Sequence, residues 1–156
     1  MNLSKSQFDA IEAEAIEHLM PQSHEMDVHD LHCYIHFSET ASLDDALRQQ
    51  VVEKLQKALA ETITTDSSNW NTYCLRPLWV VEHPGSPLLA KVDPDLVERN
   101  LQWKIQIQNE NGSWAPHWEW GQFPGLWEEA KTAWSGIITV RNLIVLRNFG
   151  RIEGLS

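Results

Sequence analysis

The chain has 156 residues, and 42% of them are hydrophobic, enough to bury the core of one globular domain. Its 22 acidic residues outnumber its 12 Lys and Arg, and the net charge of -10 argues against binding to nucleic acid or to an anionic membrane surface. Two cysteines are too few for a disulfide framework. Neither a secretory signal nor an apolar run of about 20 residues is present, so we expect a cytoplasmic protein without a membrane span.

Apolar residues in the first half recur at helical spacing. Ser4 and Gln7 form a capping-box pattern, which predicts a first helix over residues 4–20. A second helix is predicted over 23–37. Ser42 with Asp45 indicates the cap of a third helix that runs to residue 63, and a loop over 64–69 follows.

The second half continues the same pattern. A fourth helix is predicted over 71–82, bent or begun at Pro77. Asp93 and Pro94 favour the start of a fifth helix, which Gln108 closes, and a sixth is predicted over 126–148. Strand alternation is not convincing anywhere. The sequence therefore predicts an all-α protein of six helices, arranged as three hairpins in a single domain, 1–156.

The fifth helix leads into a tight turn. Gly112 suits the left-handed conformation that ends a helix, and Trp114, two residues later, can fold its ring back on that helix. Gln108 offers an amide for backbone groups left unpaired at the helix end. Gln108, Gly112 and Trp114 are therefore predicted to form one structural turn.

This turn, QNENGSW, resembles the QW-type repeat of the terpenoid cyclase/protein prenyltransferase superfamily. The similarity extends more weakly to NWNTYCLRPLWVV and to the C-terminal helix, over about residues 68–153. The resemblance implies an α/α toroid, a ring of helical hairpins around an apolar cavity, of which six helices would form about half. An open half-ring exposes an apolar face, so we expect a homodimer or a complementary half-toroid.

The catalytic motifs of that superfamily do not accompany the resemblance. The chain has no DxDD motif for alkene protonation, no DDxxD motif for diphosphate, and no complete zinc motif. Arg76 can clamp an anion, but a cap or a surface ion pair is the more common role for such an arginine and is the interpretation preferred here. Whether the chain is an enzyme is therefore left open.

A histidine-rich segment, HEMDVHDLHCYIH, offers metal ligands. On a helix, its members Glu25, His29, His32 and His36 fall on one stripe, and a His pair four residues apart can chelate a divalent ion such as zinc. The alternative is a polar helix face whose imidazoles bond to neighbouring carboxylates. No other cofactor is expected.

The chain has eight tryptophans, an unusually high number, and six of them lie between residues 103 and 134. Indoles can pack a core, or they can hold an apolar ligand or a cation. The predicted ligand-binding indoles are Trp79, Trp118, Trp120, Trp127 and Trp134. The predicted catalytic groups are His117, Glu119 and Glu128, acting as acids or bases.

Three functions follow from these residues. The first is a module that binds a hydrophobic, isoprenoid-like small molecule in an aromatic concave face. The second is a divergent cyclase or carbohydrate-active enzyme that uses His117 with Glu119 or Glu128. The third is an interaction protein that dimerises through the concave face.

Overall fold

The computed structural model describes residues 3–40 and 42–155. Six α-helices and no strand occur in these two ranges, so the all-α prediction is confirmed. The helices are α1 (Lys5–Leu19), α2 (Val28–Thr40), α3 (Asp45–Thr62), α4 (Pro77–Val80), α5 (Pro94–Gln106) and α6 (Pro124–Asn148). They belong to two compact units, 1–63 and 64–156. The toroid and the single domain over 1–156 stay predictions.

Side-chain caps set the starts of the helices in the first unit. Ser4 and Gln7 form the predicted capping box on α1, with Gln7 N donating to Ser4 Oγ at 3.3 Å and Ser4 N donating to Gln7 Oε1 at 2.9 Å. The predicted cap of α3 at Ser42 is wrong. Asp44 takes that role, because it directly precedes the first helical residue and its carboxylate accepts from Leu47 N at 2.9 Å.

The predicted start of α2 at residue 23 is also wrong, since the helix begins at Val28. Asp27 Oδ1 accepts from the backbone N of His29 at 2.8 Å, which satisfies a donor in the first turn. Glu25 therefore precedes α2 and does not share the helical stripe of the histidines.

The core of the first unit lies mainly between α2 and α3. Leu31 and Ile35 of α2 are buried, as are Val51 and Leu55 of α3, each pair at the four-residue spacing of one helix face. By contrast, Leu19 is the buried residue of α1, whereas much of the apolar face predicted for that helix is exposed.

In the second unit, α4 begins at Pro77, one of the two predicted alternatives, but it has four residues and does not span the predicted range 71–82. Pro77 explains the start: it suits a first helical turn and holds Arg76 before it in an extended conformation, at φ -86° and ψ 153°. The fully buried Asn100 of α5 secures α4, because its Oδ1 accepts from Leu78 N at 3.1 Å.

A tight turn returns the chain from α5 toward α6. Gly112 has φ +81°, in the left-handed region, and Gln108 Nε2 donates to its carbonyl oxygen at 2.9 Å. The Trp114 indole is only 1% exposed, and its Nε1 donates to the carbonyl oxygen of Lys104 at 2.7 Å. Its backbone N donates to Thr139 Oγ1 at 3.0 Å, so Trp114 ties α5 to α6.

α6 is 25 residues long and apolar on two opposite sides. Trp127, Val145 and Leu146 are buried on the inner side. We call the opposite side the outer face; its exposed apolar members are Leu126, Ala133, Gly136, Ile137, Val140, Leu143 and Ile144, and it also carries the exposed charged residues Glu129 and Arg147. Among the described residues, no helix has the combined length and hydropathy needed to cross a bilayer.

Replacing Gly112 tests the turn. Gly112→Ala should lower the free energy of unfolding by about 1–2 kcal/mol, because a Cβ disfavours the left-handed conformation. Urea denaturation measures this change. Gly121→Ala is the matched control: an added Cβ meets nothing within 4 Å, so an equal loss in both variants would contradict the argument.

Candidate functional site

The indole of Trp103, on α5, lies at the centre of a stack of aromatic and cationic groups. Its ring centroid is 5.8 Å from that of Trp70 and 5.5 Å from that of His117. The guanidinium carbon of Arg76 lies 5.2 Å from the same ring. The ring partners of Trp103 come from segments far away in the sequence, so helical periodicity alone does not bring them together.

Arg76 is buried in this stack, which excludes the surface ion pair considered from the sequence. Its Nη1 donates to Trp70 O at 2.6 Å, and its guanidinium also lies 5.0 Å from the centroid of Trp79. The contacts of the Arg76 guanidinium described here are thus one carbonyl oxygen and two indole rings, and none of them is a carboxylate. Burial lowers the pKa of Arg76, and its Nε has no hydrogen-bond partner within the described part of the chain.

Lys104 is the second buried cation of the unit, with 5% of its surface exposed. Its Nζ donates to Asn142 Oδ1 on α6 at 2.6 Å. Burial lowers the pKa of Lys104 to about 7, and the positive charges of Arg76 and Arg141 lower it further, while Glu82 opposes them. Burial therefore moves the titration of the Lys104 amine from its usual alkaline range toward neutral pH.

His117 is half-buried beside Trp103. Burial, followed by the charges of Arg76 and Lys104, lowers the pKa of His117 to about 4. At neutral pH its imidazole is uncharged. It can accept a proton there, but it does not supply one as an imidazolium acid.

The two predicted carboxylate partners of His117 lie in solvent. Glu119 and Glu128 are both exposed, and neither forms a hydrogen bond with the imidazole among the residues that the structure describes. A carboxylate fixed against the ring is the usual means of orienting a catalytic histidine. The arrangement His117 with Glu119 or Glu128 thus lacks the contact expected of an acid–base pair.

The predicted ligand-binding indoles contact other side chains of the unit. Trp118 and Trp134 meet edge to face at 5.7 Å, and Trp120 and Trp127 meet at the same distance with a tilt of 46°. Trp79 stacks with Arg76. Trp118, Trp120 and Trp134 keep part of their rings in solvent, whereas Trp127 is buried.

In the first unit, α2 brings two of the four predicted metal ligands together. The Nε2 atoms of His32 and His36 lie 3.2 Å apart, with ring centroids at 4.5 Å. Two imidazoles on one tetrahedral zinc, each at about 2.0–2.1 Å, place their nitrogens about 3.3 Å apart. His29 lies one turn earlier on the helix, and Glu25 precedes it.

An open groove of about 380 Å³ lies against α1 and α2. It is lined by Ile11, Glu14, Ala15, His18, Asp30, Cys33 and Tyr34. Burial, then the charge of Asp30, raises the pKa of Tyr34, so the phenol stays protonated at neutral pH. The groove thus combines an apolar floor with an exposed thiol, Cys33, and no predicted site residue lines it.

Comparison with protein-family models, with curated proteins and with solved structures gave no match to this chain. The resemblance of QNENGSW to the QW-type repeat therefore stays a prediction from the residues themselves.

The pH dependence of stability tests the burial of Lys104. Because its pKa falls from 10.5 to about 7 on folding, the unfolded chain binds more protons between these values, and the free energy of unfolding rises with pH across that window. Lys104→Met removes this pH-dependent contribution to the free energy of unfolding. The variant should exceed wild type in stability by the largest amount below pH 7, and this difference should shrink toward pH 10.

Urea denaturation at pH 6, 8 and 10 measures the difference between the two proteins. Lys91→Met replaces an exposed lysine and is the matched control, expected to run parallel to wild type. If the free energy of unfolding of Lys104→Met also runs parallel to that of wild type across this pH range, the Lys104 ammonium is in contact with water, which contradicts its burial.

Proposed function

We propose that this chain is a protein-interaction module that binds its partner through the outer face of α6. One observation carries the proposal. Ile137, Val140, Leu143 and Ile144 are 40–57% exposed along that face, and Leu126 at its N-terminal end is 61% exposed. An exposed cluster of large apolar side chains along one helix face is typical of a protein-binding site.

The inner side of the same helix supports this argument. Trp127, Val145 and Leu146 already bury α6 in the core of its unit, so the outer face is not needed to hold the helix in place. Each large apolar side chain that becomes fully buried contributes about 1.5–3 kcal/mol. A partner that covers the outer face recovers this free energy.

Partly exposed aromatic side chains occur in the same unit. Phe123 is mostly exposed, and Trp120 and Trp134 each keep more than a third of their surface in solvent. Tryptophan is strongly enriched among residues that dominate binding energy at protein interfaces, because a rigid ring buries a large area at low entropic cost. Exposed aromatic groups of this kind favour a protein partner over a small polar ligand.

The enzyme hypothesis has less support. His117 is uncharged at neutral pH, and Glu119 and Glu128 do not contact it. The buried cations, Arg76 and Lys104, are already bonded to Trp70 O and Asn142 Oδ1. A catalytic role would require these groups to exchange their present partners.

The pair of substitutions Ile137→Glu and Val140→Glu tests the interaction module. Both side chains are exposed, so the double variant should keep its helical circular dichroism and melting temperature. The wild-type tagged chain is expected to form complexes, either with itself when purified or with another protein in an extract of the cells that produce it. The double variant should lose these complexes, as measured by size-exclusion chromatography with light scattering. Ile105→Glu, at an exposed isoleucine of α5, is the matched control. Complexes unchanged by the double variant would reject the outer face as the binding surface.

Two further ligands are supported by separate observations. The part-exposed edge-to-face pair Trp118 and Trp134 fits the predicted hydrophobic small molecule. The separation of 3.2 Å between the Nε2 atoms of His32 and His36 fits one divalent ion such as zinc.

Native mass spectrometry of the purified chain, with zinc added and then chelated, measures both ligands. The zinc prediction expects one metal mass that a chelator removes and that His36→Ala abolishes, with His24→Ala, outside α2, as the control. The small-molecule prediction expects a retained organic mass. The bare chain at all zinc concentrations would reject both.

A further inference from the structure

The outer face of α6 follows a seven-residue repeat. Positions 126, 133, 140 and 147 alternate with 129, 136 and 143 at steps of three and four residues, and every one of these residues is exposed. Such a repeat keeps one face of a helix against a second helix along its whole length. The face is therefore patterned for a helical partner of comparable length, about 37 Å for the 25 residues of α6.

We propose that the partner is a second copy of this chain, with the two α6 helices packed antiparallel about a two-fold axis at residue 138. This inference rests on the proposed interaction function and names its partner. In a two-fold antiparallel pair, each residue faces the residue equally far from residue 138 on the other side. The sequence of a single α6 therefore decides whether the face complements itself.

The side-chain sizes are complementary in this arrangement. Gly136 and Val140 lie two residues on either side of the axis, so the glycine of one copy faces the valine of the other. Ala133 and Leu143 lie five residues on either side and pair in the same way. An added Cβ at Gly136 meets nothing within 4 Å in the chain itself, so that space is open to a partner side chain. Ile137 of each copy then flanks the axis.

The charges at the two ends of the face are complementary as well. Glu129 and Arg147 lie nine residues on either side of residue 138, so each glutamate faces the arginine of the other copy. Both are exposed, and neither forms an ion pair with another described residue of its own chain. A parallel pair would place Glu129 against Glu129 and Arg147 against Arg147, which like-charge repulsion disfavours.

Small side chains on the outer face suit a close helix pair. Gly136 and Ala133 let two helix axes approach to about 8 Å, the short end of the usual range, and a left-handed crossing near 20° keeps the repeat in register. Apart from Leu126, the apolar members of the face lie between Glu129 and Arg147, so the ion pairs lie at the two ends of an apolar centre.

Sedimentation velocity of the full chain across a concentration series measures the association. Glu129→Arg and Arg147→Glu should each raise the dimer dissociation constant about tenfold or more, because each creates two like-charge contacts per dimer. The double variant with both Glu129→Arg and Arg147→Glu should restore the dissociation constant toward the wild-type value. Glu128→Arg makes the same charge change one residue away, off the outer face, and should leave the dissociation constant unchanged.

A size change tests the axis without touching charge. Gly136→Leu should not lower the melting temperature, since leucine favours helix over glycine and finds open space in the chain itself. It should nevertheless weaken the dimer, because the new side chain meets Val140 of the other copy. Unweakened association in Gly136→Leu would overturn the proposed register.

Cysteine cross-linking distinguishes the two orientations. With Cys33 and Cys74 replaced by Ser, Ile137→Cys should form an intermolecular disulfide under diamide, because the two copies of position 137 lie about 3 Å apart along the axis. Glu129→Cys should not, since its copies are about 27 Å apart along the axis in the antiparallel pair. Cross-linking at Glu129→Cys would overturn the antiparallel arrangement.

The failures of the two proposals are distinguishable. A purified chain that stays monomeric at 100 μM overturns self-association. If its complexes in cell extract are then still lost in the Ile137→Glu and Val140→Glu double variant, the outer face binds a different protein and the interaction function stands.

Discussion

The fold of the second unit depends on the placement of one indole. Trp114 donates its Nε1 hydrogen to the carbonyl oxygen of Lys104 on α5 and its backbone hydrogen to Thr139 on α6. Because the ring is buried, these bonds form away from competing water, where an unmade bond would be costly. The turn at Gly112 brings the ring to this position. Joined in this way, α5 and α6 enclose the ammonium of Lys104 against Asn142.

The enclosed interior has a charge opposite to that of the whole chain. The net charge is -10, yet the buried ionisable side chains of this unit are the cations Arg76 and Lys104. Their bonded partners are a backbone carbonyl, an amide oxygen and ring faces rather than carboxylates. Burial lowers the pKa of Lys104 to about 7 and that of neighbouring His117 to about 4. Because the bonded partners do not neutralise Arg76, its positive charge lowers both pKa values further.

α6 separates the stabilising and the binding roles of one helix. Its inner side anchors the unit through Trp127, Val145 and Leu146, so a change on the outer face leaves the core intact. The outer face supplies apolar area that is recovered only on association. The net charge of -10 on the whole chain limits non-specific association, since like-charged copies repel one another unless their contacts are complementary.

The sequence by itself determined the local features of this protein. Ser4 with Gln7, and Pro94 after Asp93, specify the starts of α1 and α5 because their effects act within one turn, and the all-α class follows from helical patterns of this kind. Other local signals gave wrong bounds: α2 starts at Val28 because Asp27, not Ser23, accepts from a backbone donor of its first turn, and α4 starts only at Pro77, which holds the residue before it in an extended conformation.

Only the tertiary structure decided the surroundings of the functional candidates. Arg76 and Lys104 carry side chains that are normally exposed, and their burial depends on rings and amides contributed by distant segments. Likewise, the sequence predicted a helix over 126–148, but the inner side and the outer face of α6 could be told apart only when one of them was packed. The burial of a side chain depends on which segments pack together. A local residue pattern indicates only which side chains are able to be buried.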